Sequence, residues 1–146
     1  MNRGRLQFEL LCGLVLVLTS AIAQPTLADE ALTERNKAVV KDFYTTVVIG
    51  RDVHASPRFL RADYIQHNPQ GPTGLKGFMD TFRKRFAQKL PRDYKRELLN
   101  MIGENDMVVV YVRQTWTGRD DQHHQALVFD MFRVQEGMIA ENWYAY

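Results

Sequence analysis

Cysteine is almost missing from this chain of 146 residues, and the only one is Cys12, near the N-terminus. Disulfide staples therefore cannot support the body of the protein, whose stability must come from a packed core. Charge of one sign is equally scarce: 19 Lys and Arg stand against 17 Asp and Glu, a formal charge of +2. That balance offers no electrostatic footprint for nucleic acid, and none is expected as a partner. Of the four histidines, His123 and His124 are adjacent and so point to opposite faces of a strand. Together with His67 they match no ligand-spacing template, so no metal is expected. Phosphate-binding glycine loops, dinucleotide fingerprints and Ser or Cys nucleophile motifs are missing too, and no cofactor is expected. Without internal repeats or low-complexity linkers, the chain reads as a single domain.

Long apolar runs are limited to one short segment. Arg3 and Arg5 precede an apolar stretch from Leu10 to Thr19, and Ala21-Ile22-Ala23 follows as a small-x-small cleavage signal. The stretch is shorter than the roughly 20 residues of a membrane span. Residues 1–23 are therefore expected to be a signal peptide and residues 24–146 the domain, exported to a periplasm or secreted, with no transmembrane span after cleavage. A second candidate cut follows Ala28, and Glu9 at the edge of the run leaves an uncleaved anchor as the alternative.

What is present sorts into helices followed by strands. Val39, Phe43 and Val47, with Val40, Tyr44 and Val48, recur at i, i+4 and predict a helix from Leu32 to Ile49, capped by Thr33 and stopped at Gly50. A short helix or turn near Pro57 leads to a short strand around Tyr64-Ile65-Gln66-His67-Asn68-Pro69, then a glycine-proline loop. Leu75, Phe78, Met79, Phe82, Phe86 and Leu90 line one side of a second helix ended by Pro91. From Tyr94 the period becomes two, giving strands Tyr94 to Ile102, Met107 to Thr117, one ending at Val134, and Met138 to Tyr146. The fold class is α+β, with helices packed on one face of a curved antiparallel sheet. Leu75, Phe78, Phe82 and Phe86 are expected to pack on Val108, Val110 and Val112. The basic cluster from Arg83 to Arg96 reads as a solvated face or as a means of attracting an anionic surface or substrate.

The final hairpin holds the residue that most needs an explanation. Asp130 lies in an apolar row between Val128 and Phe132. A carboxylate there either finds a buried partner or has its pKa raised by desolvation, as a general base near neutral pH requires. With Gly137 in a three-residue turn, Val134 would pair with Met138, Asp130 with Asn142, and Val128 with Tyr144. Val128, Asp130, Phe132, Val134, Met138, Ala140, Asn142 and Tyr144 would then share one face. Leu127, Phe129 and Met131 would point the other way, and such an uncovered row predicts a homodimer through the outer sheet face. Tyr64, Trp116, Trp143 and Tyr144 are candidate walls for a flat ligand, or simply core.

The segment Tyr64-Ile65-Gln66-His67-Asn68-Pro69, together with the stretch from Asp130-Met131-Phe132-Arg133 to Glu141-Asn142-Trp143, resembles the SnoaL-like branch of the nuclear transport factor 2-like superfamily. The resemblance spans roughly Leu32 to Tyr146. It implies a cone, in which a strongly curved antiparallel sheet wraps around N-terminal helices and a pocket opens at one end. Relatives include polyketide cyclases of intramolecular aldol chemistry, ketosteroid isomerases, epoxide hydrolases and non-catalytic binding or dimerisation modules. Asp130 matches the aspartate of the family's Asp-x-Phe-Arg pattern, and His67 stands in its first motif. Where relatives commonly end the hairpin Glu-His-Trp-Asp, this chain has Glu141-Asn142-Trp143-Tyr144, which thins the acid–base inventory. The expected ligand is a small hydrophobic or carbonyl-containing compound. Asp130 would remove a proton alpha to the carbonyl, and His67, Asn142 or Tyr144 would stabilise the enolate oxygen.

Overall fold

A computed structural model describes residues 26–69 and 71–145. The expected signal peptide lies outside them. Among the described residues, no helix is long and apolar enough to cross a membrane.

Helix α1 runs from Leu27 to Phe43 and continues through Tyr44–Ile49 as a wider π-helical segment. It starts earlier than the apolar pattern predicts. Thr26 forms a capping box, its hydroxyl accepting from the Asp29 amide while the Asp29 carboxylate accepts from the Thr26 amide. Thr33, the expected cap, instead accepts from the Asn105 amide at 3.0 Å, and buried Asn36 donates to the Asn105 carbonyl at 2.8 Å. These two bonds pin the helix to a turn of the sheet. A 3-10 segment (Val53–Arg58) follows, then strand β1 (Leu60–Gln66) and helix α2 (Leu75–Ala87).

The rest is β2 (Arg92–Glu104), β3 (Met107–Thr117), β4 (His123–Gln135) and β5 (Met138–Ala145). They form a five-stranded, curved and unclosed sheet in the order β1-β5-β4-β3-β2, with helices on its inner face, as the α+β reading expects. β1 joins β5 in parallel, and every other pairing is antiparallel.

The terminal hairpin departs from its predicted register in two places. Gln135 pairs with Met138, and Glu136 (φ 52°) and Gly137 (φ 76°) are both left-handed, so the turn has two residues instead of three. The pairing then jumps from Val134 with Ile139 to Arg133 with Glu141, leaving Ala140 as a bulge. Asp130 therefore faces Tyr144, not Asn142, and Asn142 faces Phe132. Each deviation shifts the ladder by one residue. Their sum restores the parity, so Asn142 and Tyr144 remain on the Asp130 face while buried Ile139 replaces Met138 there.

The core lies between α1 and the inner face of the sheet. Val40, Phe43, Tyr44 and Val47 pack with Val108, Val110, Val112, Phe132, Val134 and Ile139. From α2 only Phe78 is fully inside, meeting Tyr64 edge-on and Phe43 at a tilt. Leu75 and Phe82 pack half-buried at its margin. Phe86 is displaced further out, against Phe82 and the Arg51 guanidinium. The second helix is thus more peripheral than its aromatic stripe suggests.

Candidate functional site

The inner face bounds one cavity of about 400 Å³. Strand alternation builds its floor, because Asp130 and Val128 of β4, Asn142 and Tyr144 of β5, and Gln114 of β3 all point inward. Phe43, Tyr44 and Val48 close one side from α1 and its π-helical extension. Phe78, Phe82 and Arg85 of α2 close another, and Arg96 enters from β2. The walls are mainly aromatic and aliphatic, with a few polar groups converging on them, the usual make-up of a small-molecule site.

Asp130 stands at the centre of this arrangement. Its Oδ2 accepts a hydrogen bond from the Tyr44 hydroxyl at 2.7 Å, across 86 residues of sequence. The side chain stays half-exposed because it opens onto the cavity, yet protein atoms crowd it on the other sides. That crowding strips water from the carboxylate and raises its pKa above the ordinary value. The Tyr44 hydroxyl, the Arg96 guanidinium, the Asn142 amide and Arg85 oppose the rise in that order. Burial and the nearby Asp130 charge push the Tyr44 phenol upward, so it remains a proton donor throughout the neutral range.

A polar relay flanks this pair. Gln66 Nε2 donates to the Tyr64 hydroxyl at 3.0 Å and to Asn142 Oδ1 at 3.2 Å, while Asn142 Nδ2 donates to the carbonyls of Met131 and Trp143. Asn142 is thereby fixed in orientation. Tyr144 stands directly across the ladder from Asp130 and lines the cavity.

Three of the residues singled out in the sequence, Asp130, Asn142 and Tyr144, do line this cavity. Tyr64 lies buried behind its wall, against Phe78 and hydrogen-bonded to Gln66. His67 and Trp143 sit elsewhere. Gln66 pairs with Asn142 and faces inward, so His67 turns to the outer face, where its ring stacks on Trp143 at 4.2 Å and its Nε2 meets Glu141 at 2.7 Å. Trp116 stacks on His124 near the end of β3, outside the cavity lining. Among the described residues no group of three His, Cys, Asp or Glu could hold a metal.

Sequence reasoning missed Tyr44, Gln66 and Gln114. A phenol inside the apolar stripe of α1 carried one usable signal, since a buried tyrosine hydroxyl needs a partner. Arg85 and Arg96 belong to the basic cluster whose sequence allowed either a solvated face or anion capture, and the structure brings these two members, one from α2 and one from β2, to the cavity.

A sequence profile of the SnoaL-like domain matches residues 40–142, and the chain belongs to that family. A search of curated proteins finds no match. Among solved structures, a candidate SnoaL-like polyketide cyclase from Jannaschia sp. CCS1 superposes with a TM-score of 0.65 at 16% identity, over 84% of this chain and 90% of that one. A candidate ketosteroid isomerase from Kribbella flavida gives 0.59 at 21% identity, over 78% and 82%. An LEH-like epoxide hydrolase from M. tuberculosis gives 0.59 at 14%, over 77% and 78%. At these identities the likeness is one of fold, the cone of the nuclear transport factor 2-like superfamily.

Proposed function

We propose that this SnoaL-like domain is a cofactor-independent acid–base enzyme acting on a small carbonyl compound, as an isomerase or an aldol-type cyclase. The observation that carries this reading is Asp130: a desolvated carboxylate, oriented by Tyr44, opening onto a cavity with aromatic and aliphatic walls. A base with a raised pKa takes protons more readily from a weak carbon acid. The proton alpha to the carbonyl moves to Asp130, the C–H electron pair becomes the enolate double bond, and the carbonyl π pair moves to oxygen. Tyr144, opposite Asp130, is the donor we assign to that oxygen. The carbanion then takes the proton back at another carbon, or attacks a second carbonyl whose new alkoxide receives it. His67 has no part in this scheme, since it lies on the other face of the sheet. The names of the structural neighbours, which include cyclase and isomerase, agree with this chemistry.

The test is exchange of alpha protons for deuterium in small ketones, followed by proton NMR in heavy water. Exchange catalysed by the native protein and lost in Asp130→Asn supports the reading. If the native protein accelerates exchange in no ketone that it binds, the non-catalytic alternative stands, in which Asp130 serves only as the acceptor for Tyr44.

The outer face exposes Leu127 (41%) and Phe129 (49%), with Tyr111 stacked on Phe129 at 4.7 Å, which supports a homodimer through this face. Export rests on the N-terminal sequence alone, and the mass of the mature protein recovered from cell fractions tests it.

A further inference from the structure

We infer that the ligand of this cavity carries an anionic oxyacid group, a carboxylate in the simplest case, held by Arg96 and Arg85 at a distance from its reactive carbonyl. The inference rests on the reading of the cavity as the ligand site and adds a substrate class to it. Two arginines and one carboxylate, Asp130, are the charged groups lining the space. Among the described residues, neither arginine forms a salt bridge, although twelve other such contacts occur. Arg96 is half-buried, and its Nε is sealed from solvent without a hydrogen-bond partner. A guanidinium that has lost part of its water and gained no direct ion-pair contact is an unfavourable arrangement by itself. An incoming oxyanion would supply the charge that the protein withholds, in the forked geometry that suits arginine.

The surroundings specify where that group sits. Arg96 pairs with Gln114, and Gln114 pairs with Ala126, so they form one row across the sheet. Asp130 pairs with Val110, four residues further along β3, which is about 13 Å at the rise of a strand. The Arg96 side chain spans part of this gap, since its charge is felt at both Asp130 and Tyr44. Arg85 approaches from the last turn of α2, its guanidinium 5.0 Å from the centre of the Phe82 ring. Gln114 Oε1 already accepts from the Tyr94 hydroxyl, which directs its amide nitrogen elsewhere as a donor. Val128, paired with Val112, lies between the Arg96 row and Asp130, and Phe82 adds an apolar wall to the same cavity. The complementary ligand has a charged head, a short apolar spacer or ring, and a carbonyl at the far end.

Benzoylpropionate and its methyl ester, which share one body and differ in charge, are the probes. Titration calorimetry at neutral pH should show the acid binding about ten-fold more tightly or better, the scale of one charge-assisted hydrogen bond. Arg96→Gln should abolish most of that preference by weakening the acid while leaving the ester unchanged. Arg85→Gln, at an exposed position that tolerates substitution, should reduce it in the same direction. Equal or tighter binding of the ester by the native protein would overturn the inference, as would a preference that survives both substitutions. Failure to bind either compound at millimolar concentration would remove the cavity as a site for such ligands and the inference with it. The two proposals fail separately: an acid preference without alpha-proton exchange in the native protein defeats only the chemistry proposed for Asp130, and exchange without an acid preference defeats only this inference.

Discussion

On the inner face of the sheet Asp130, Asn142 and Tyr144 converge on a cavity roofed by two helices. One residue along the same strands, Met131, Trp143 and Glu141 project outward, where Trp143 stacks with His67 and Glu141 bridges His67 and Arg133. Both faces thus bring together aromatic, acidic and hydrogen-bonding groups, and the outer one even has a histidine, His67, where the cavity lining has none. Solvation separates them. Inside, helices exclude water from a lone carboxylate and raise its pKa; outside, each carboxylate of the cluster has a cationic or histidine partner. The proposed chemistry follows the desolvated carboxylate rather than the richer collection of side chains.

The sharpest way to break this comparison is Asp130→Asn, which should lower alpha-proton exchange by at least about 100-fold if the residue is a general base. Stability carries the second half of the test. Because the folded pKa is raised, the native state holds this proton at pH values where the unfolded chain has released it. Ionisation therefore costs stability, a cost absent below the ordinary carboxylate pKa and fully present above the raised one. The urea midpoint of Asp130→Asn at neutral pH should equal or exceed that of the native protein, and the difference should fade in acid. A clear loss of stability would instead make the Tyr44 bond structural and sink the catalytic reading.

Next in size is the roof itself. Phe78 is buried against Phe43, Tyr64 and Phe82, and Phe78→Ala should cost about 3–5 kcal/mol by urea unfolding. A loss below about 1 kcal/mol would show that α2 does not seal the inner face. Tyr44→Phe should cost about 1–3 kcal/mol, since a desolvated carboxylate loses its donor. The same change removes an interaction that holds the Asp130 pKa down, so the acid limb of an activity profile should move to higher pH.

The outer face should respond least. His67→Gln is expected to change stability by about 1 kcal/mol or less, as for other exposed ion pairs, and to leave exchange intact. Loss of exchange in that variant would reverse the assignment of the two faces. Phe129→Ser should leave folding almost unchanged, within about 0.5 kcal/mol, but dissociate the proposed dimer in sedimentation experiments. A monomeric native protein at micromolar concentration would count against the dimer.

Much of the fold was legible in local pattern. Spacing of i, i+4 located both helices, and period two located the strands of the meander, because each reflects backbone hydrogen bonding within a few residues. Asp130 was legible for the same reason, as a charge out of place in an alternating apolar strand. His67 was read for its chemistry and its motif, and parity placed it outside. The hairpin register was misread because glycine at 137 suits a two-residue turn as well as a three-residue one, and nothing local announced the bulge at Ala140.

By itself, then, the sequence determined the order of elements, the α+β class, the inward parity of Asp130, Asn142 and Tyr144, and the lack of any disulfide within the described body. Tertiary structure alone decided that Tyr44 is the partner of Asp130, that Arg96 and Arg85 share its cavity, and that the SnoaL-like motif histidine does not. The physical reason is range. Strand parity and helical period are set by neighbouring peptide groups, whereas a pocket is set by which side chains from separate elements exclude water from one another, and Tyr44 and Asp130 meet only after α1 has docked on the sheet.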